Sequence, residues 1–83
     1  MNTNVLLASA EPGQEARVRA AIEAVPGRPY ELSSVATLAG AMAAIRAGNV
    51  DAVLLDLELP DSTGITTFLR LQPKVASIPV IAL

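Results

Sequence analysis

Eighty-three residues, 52% of them hydrophobic, with 6 basic and 8 acidic side chains for a net charge of -2, make at most one domain. A domain this short buries only about 60% or a little more of the surface its unfolded chain exposes, so its core is thin. With no Cys and no His, disulfides, thiolate and imidazole nucleophiles and most zinc chemistry are excluded, and without a basic run or aromatic ladder direct nucleic-acid binding is not expected.

The N-terminus, MNTNVLLASAEPG, has no basic flank, and its apolar run is far too short for a signal peptide or a membrane span. A cytoplasmic protein that does not enter membranes is the expectation. Val5 to Ala8 reads as a short strand, after which the period changes: Val18, Ala21, Ile22 and Val25 fall on one helical stripe. Pro12 suits the first turn of that helix, and PGRP at 26–29 stops it. Tyr30 to Val35 is a weaker, more polar strand of the kind found at a sheet edge. Thr37 can cap a second helix with Leu38, Ala41, Met42 and Ile45 on its stripe, and Gly48–Asn49 end it.

Asp51 to Leu57 is the strongest strand, since Ala52 to Leu55 are apolar without alternation, as expected where helices cover both faces of a sheet. Ser62 or Thr63 can cap a third helix carrying Ile65, Phe68 and Leu69, which Pro73 terminates, and IPVIAL at 78–83 is a last strand. Strand and helix alternate three times before that strand, which predicts an α/β fold with a parallel sheet. Thr66, Thr67 and Arg70 are expected on a solvated helix face.

The strand 52–55 runs straight into a carboxylate, Asp56. In open α/β sheets ligands sit beyond the carboxyl ends of the strands, and a carboxylate there costs free energy unless it is hydrated, paired or on a metal. Position alone leaves two readings open: Asp56 caps the Pro60 turn or the third helix through backbone N–H groups, or it is a functional group.

The pattern Asp56-x-x-Leu59-Pro60-x-x-x-Gly64, after DAVLL and before IPVIAL, resembles the phosphoacceptor region of response-regulator receiver domains. The resemblance implies an open, flavodoxin-like (CheY-like) doubly wound sheet of order 2-1-3-4, with residues 1–83 forming a single receiver domain that lacks the fifth β/α unit. It further implies a module of a bacterial two-component phosphorelay, with Asp56 taking a phosphoryl group from a sensor histidine kinase or a phosphotransfer protein. Receivers hold Mg²⁺ with an acidic pair after the first strand, the acceptor Asp and the backbone carbonyl two residues beyond it, which is Glu58 here.

Ser9 and Ala10 occupy the positions of the acidic pair, and only Glu11, one place later, is acidic. Mg²⁺ is then expected to bind weakly, through Asp56, the Glu58 carbonyl and Glu11, while Ser9, Ala10, Pro60 and Gly64 shape the loops. Glu11 and Ser9 also have plain readings, as an acid near a helix N-terminus and as a cap. The family's Ser or Thr after the fourth strand and its later Lys fall beyond Leu83. An apolar strip of the sheet and the uncharged edge VIAL are expected to be open to solvent, favouring a homodimer or a fragment of a longer protein. The alternative function is a phosphorylation-independent dimerisation or docking module. Catalysis in its own right, as in an aspartyl-phosphate phosphatase, is not expected, since the Asp-x-Glu here follows the third strand and not the first.

Overall fold

The computed structural model describes residues 3–27, 30–64, 66, 67, 69 and 78–83. In chain order it comprises β1 (Thr3–Ala8), α1 (Gln14–Glu23), β2 (Tyr30–Val35), α2 (Leu38–Ala47), β3 (Ala52–Leu55), β4 (Glu58–Leu59), β5 (Ser62–Thr63) and β6 (Val80–Ala82). The main sheet is parallel with the order β2-β1-β3-β6, and β4 and β5 form a separate antiparallel hairpin. The order agrees with the expected 2-1-3-4 once the small hairpin is set aside.

Local signals account for much of this. Thr37 caps α2 with extended backbone, its Oγ1 accepting from the Gly40 N–H at 3.0 Å, and Gly48 closes the helix. Strand β3 is shorter than the expected 51–57. At its start the Asp51 side chain accepts the Asn4 N–H at 2.7 Å, and at its end the Asp56 side chain accepts the Glu58 N–H at 2.9 Å. Both carboxylates offer the backbone an alternative to the ladder.

Right-handed crossovers, with the reversal between the step to β2 and the later steps, place α1 and α2 on opposite faces of the sheet. The core lies under α2, where Leu6, Ala8, Val53 and Leu55 of the sheet meet Leu38 and Ala41, with Leu59 from the hairpin. On the other face the parallel register aligns Leu7, Leu54 and Ile81 across neighbouring strands. Exposure rises along that row, from 1% at Leu7 through half-buried Leu54 to 53% at Ile81. Among the described residues the row is thus open only at its outer strand, whereas on the central strands, where the open strip is expected, Leu7 is buried and Leu54 half-buried.

Helix α1 departs from its expected stripe. Val18 and Ile22 are half-buried, Ala21 is exposed, and Val25 lies beyond the helix end. No residue of α1 is fully buried, because the helix packs chiefly along the edge strand β2. Pro12 sits in a turn before the helix and not in its first turn: the cap is Gly13 at φ 86°, a conformation open to glycine, and the Gln14 N–H bonds back to the Glu11 carbonyl at 3.2 Å. Ser62 and Thr63 are likewise not helix caps, since they form β5. Thr66, Thr67 and Leu69 are helical, while Ile65, Phe68, Arg70 and Pro73 lie outside the described residues.

On the exposed side of α1, Glu15 accepts from the Ser34 hydroxyl at 2.6 Å and pairs with Arg19 at 2.9 Å. The Ser34 hydrogen bond first, and then Arg19, hold its carboxyl below the usual range. A carboxyl with a folded pKa below its unfolded one contributes stability above the unfolded pKa and loses it as pH falls through the folded value. Ser34→Ala is expected to move the Glu15 titration upwards, as read by NMR of its side-chain carboxyl. An unchanged titration would show that the Ser34 hydroxyl does not set it.

Candidate functional site

Strands β1 and β3 lie side by side with Ala8 opposite Leu55, so the residues leaving them, Ser9 and Asp56, emerge together at the carboxyl edge of the sheet. The Asp56 N–H continues the ladder to the Ala8 carbonyl at 2.9 Å, and the Ser9 N–H bonds the Val35 carbonyl at 3.0 Å. The chain leaves β1 towards one face and β3 towards the other, so this is the topological switch point at which open α/β sheets bind ligands.

Asp56 is half-buried, and each of its oxygens has a neutral donor. Ser9 Oγ donates to Oδ2 at 3.1 Å and the Glu58 N–H to Oδ1 at 2.9 Å. Asp56 thus caps its own turn, and it also borders a cleft. The cleft, about 400 Å³ in volume, is lined by Ala10, Glu11, Asp56 and Glu58. Ser9 is not a cap of α1: its hydroxyl accepts the Glu11 N–H at 3.2 Å and donates its own hydrogen bond to Asp56.

Glu11 borders the cleft, yet its carboxylate meets Arg17 at 3.4 Å, with both side chains more than half exposed. Such a surface pair is worth about 0–1 kcal/mol, too little to fix Glu11 against a stronger partner. Arg17 also donates to the Gln14 side chain at 2.8 Å. No group of three or more His, Cys, Asp or Glu side chains suited to a metal occurs among the described residues. The carboxylates that border the cleft are those of Glu11, Asp56 and Glu58, and that of Glu11 is engaged by Arg17.

Pro60 and Gly64 shape the segment after Asp56. Pro60 begins the two-residue turn of the β4–β5 hairpin, where Leu59 pairs with Ser62. Gly64, at φ 67°, takes the left-handed conformation that lets its N–H return to the Leu57 carbonyl. The next helical turn carries Thr67, which is fully buried and not on a solvated face. Its hydroxyl donates to Ser62 Oγ at 3.0 Å, and that satisfied pair permits burial of both groups.

Asp61, at the hairpin tip, is the residue that sequence patterns leave unmarked. Its carboxylate accepts the Leu38 N–H at 2.8 Å and the Ala39 N–H at 3.0 Å, at the start of α2. A Pro-Asp pair signals a turn, but nothing local signals its partner 23 residues away.

No protein-family model matches the sequence, and a search of curated proteins gives no match. Solved structures do match. The chain is similar to the MaeR response regulator bound to beryllium trifluoride, with a TM-score of 0.83 and 26% identity over 98% of this chain and 66% of that one. It is similar to the phosphorylated cyanobacterial phytochrome response regulator RcpA, at a TM-score of 0.73 and 27% identity over 99% of this chain and 64% of that one. The signal receiver domain of an HD domain-containing protein from Pseudomonas fluorescens Pf-5 gives a TM-score of 0.82 at 21% identity, over 96% and 57%. The chain thus spans roughly two thirds or less of these chains.

Proposed function

We propose that this chain, which has the receiver-domain fold of response regulators, serves as a phosphoacceptor module in two-component signalling, with Asp56 as the acceptor. The observation that carries this reading is the place of Asp56: half-buried at the switch point of the sheet, on a cleft bordered by Ala10, Glu11 and Glu58. That one relative is bound to beryllium trifluoride and another is phosphorylated supports the same chemistry. The donor would be a sensor histidine kinase or a phosphotransfer protein, and the chain acts as recipient and not as a catalyst in its own right.

In the transfer, a carboxylate oxygen of Asp56 forms a bond to phosphorus as the bond from phosphorus to the donor breaks. The leaving group keeps that electron pair, and Asp56 becomes an acyl phosphate. Ser9 Oγ and the Glu58 N–H hold the carboxylate in place, one on each oxygen. A Mg²⁺ ion, if bound through Asp56, the Glu58 carbonyl and Glu11, would neutralise charge on the phosphoryl oxygens. Ser9 and Ala10 supply no charge to hold it.

Intact-mass analysis after incubation with a small acyl phosphate, with and without Mg²⁺, tests the reading. One added phosphate is expected on the native chain and none on Asp56→Asn. A folded native chain that gains no phosphate would overturn it.

A second reading, a docking module independent of phosphate, is favoured by the open end of that row at Ile81 and by Leu83, 50% exposed. A second copy laid on that face would give a homodimer. Sedimentation showing only monomer at all concentrations would remove this reading.

A further inference from the structure

We infer that Asp61 is a positioning residue that ties the Asp56 loop to helix α2, so that a change at Asp56 is felt at the first turn of α2. The first N–H groups of a helix have no partner within the helix. In α2 three of them are satisfied by two side chains: Gly40 by Thr37 Oγ1, three residues earlier, and Leu38 and Ala39 by Asp61, from the hairpin. A carboxylate there also complements the positive end of the helix dipole, and each bond is charge-assisted.

The other end of the same segment is held by Asp56. Its Oδ1 takes the N–H of Glu58, the first residue of β4, and β4 turns through Pro60 and Asp61 into β5. Between the two carboxylates lies Leu59, 2% exposed, in one cluster with Leu38 and Ala41 of α2. The segment from Asp56 to Asp61 is therefore a short bridge anchored at both ends and packed on the core through Leu57 and Leu59. It cannot slide at Glu58 without drawing on the bonds at Leu38 and Ala39. The coupling goes beyond the phosphoacceptor reading and stands whether or not Asp56 takes phosphate.

Amide hydrogen exchange followed by NMR on the full chain tests it, in the native protein, Asp56→Ala, Asp61→Ala, Asp61→Asn and the double alanine variant. The Val53 amide, bonded to the Pro79 carbonyl in the buried strand β3, reports any global loss of stability. Asp61→Ala is expected to speed exchange at Leu38 and Ala39 by about 5- to 30-fold, the worth of a helix cap, and Asp61→Asn by less. Asp56→Ala is expected to speed the same two amides by about 3-fold or more, with no further effect once Asp61 is alanine. Should Asp61→Ala not fold, the same cycle with Asp61→Asn serves. The inference is overturned if Asp56→Ala leaves both amides unchanged, since Asp61 is then only a local cap. It is equally overturned if Asp56→Ala acts undiminished without Asp61, or if neither Asp61 variant affects Leu38 and Ala39.

Discussion

Leu6→Ala is expected to remove a large part of the stability of the chain, with urea denaturation followed by circular dichroism as the measurement. Leu6 is 1% exposed on the central strand β1, and its side chain joins the cluster under α2. A buried Leu→Ala change costs about 2.7–5 kcal/mol, through lost burial and the cavity left behind. At about 0.05–0.15 kcal/mol per residue, an 83-residue domain holds only about 4–12 kcal/mol in total. Ile81→Ala, on the open end of the opposite face, is expected to change stability by about 0.5 kcal/mol or less. Comparable losses at both positions would show that the core is not where it is placed here.

The second large effect is expected from Ser9→Asp. Ser9 now gives Asp56 a hydrogen bond at 3.1 Å. A carboxylate in its place sets two like charges in contact, a repulsion of about 4 kcal/mol at the effective dielectric of a protein surface, relieved in part by proton uptake. Without a divalent ion the variant is expected to melt well below the native chain. With Mg²⁺ it gains a second inward carboxylate, and an ion at a hundred times its Kd adds about 2.7 kcal/mol. The native chain, with Ser9 and Ala10 in place, is expected to show little Mg²⁺ dependence in the same thermal melts. A native chain strongly stabilised by Mg²⁺ would mean that Glu11 leaves Arg17 and holds the ion after all.

What could be read from the sequence is what local chemistry decides. The apolar runs at 5–8 and 52–55 marked the two central strands, Thr37 and Gly48 the limits of α2, and the junction of strand with carboxylate marked Asp56. The hairpin of β4 and β5 escaped because strands of two residues have no period to detect. Thr67 departs from the expected solvated face because a hydroxyl in a helix gives no hint that Ser62 will satisfy it in the interior. Asp61 escaped for the same reason at longer range: its partners belong to another element, and only the folded sheet brings the hairpin tip to α2. The start of α1 was displaced by Gly13, whose left-handed conformation overrode the signal of Pro12.

Borohydride trapping is the most direct test of the proposed acyl phosphate at Asp56. An acyl phosphate is reduced by borohydride to an alcohol, whereas a free carboxylate or a phosphate ester is not. After incubation with a small acyl phosphate, reduction and peptide mass mapping should find homoserine at position 56 and an unaltered Asp at positions 51 and 61. Homoserine at 51 or 61, or an unaltered Asp56 in a folded chain, would contradict the assignment.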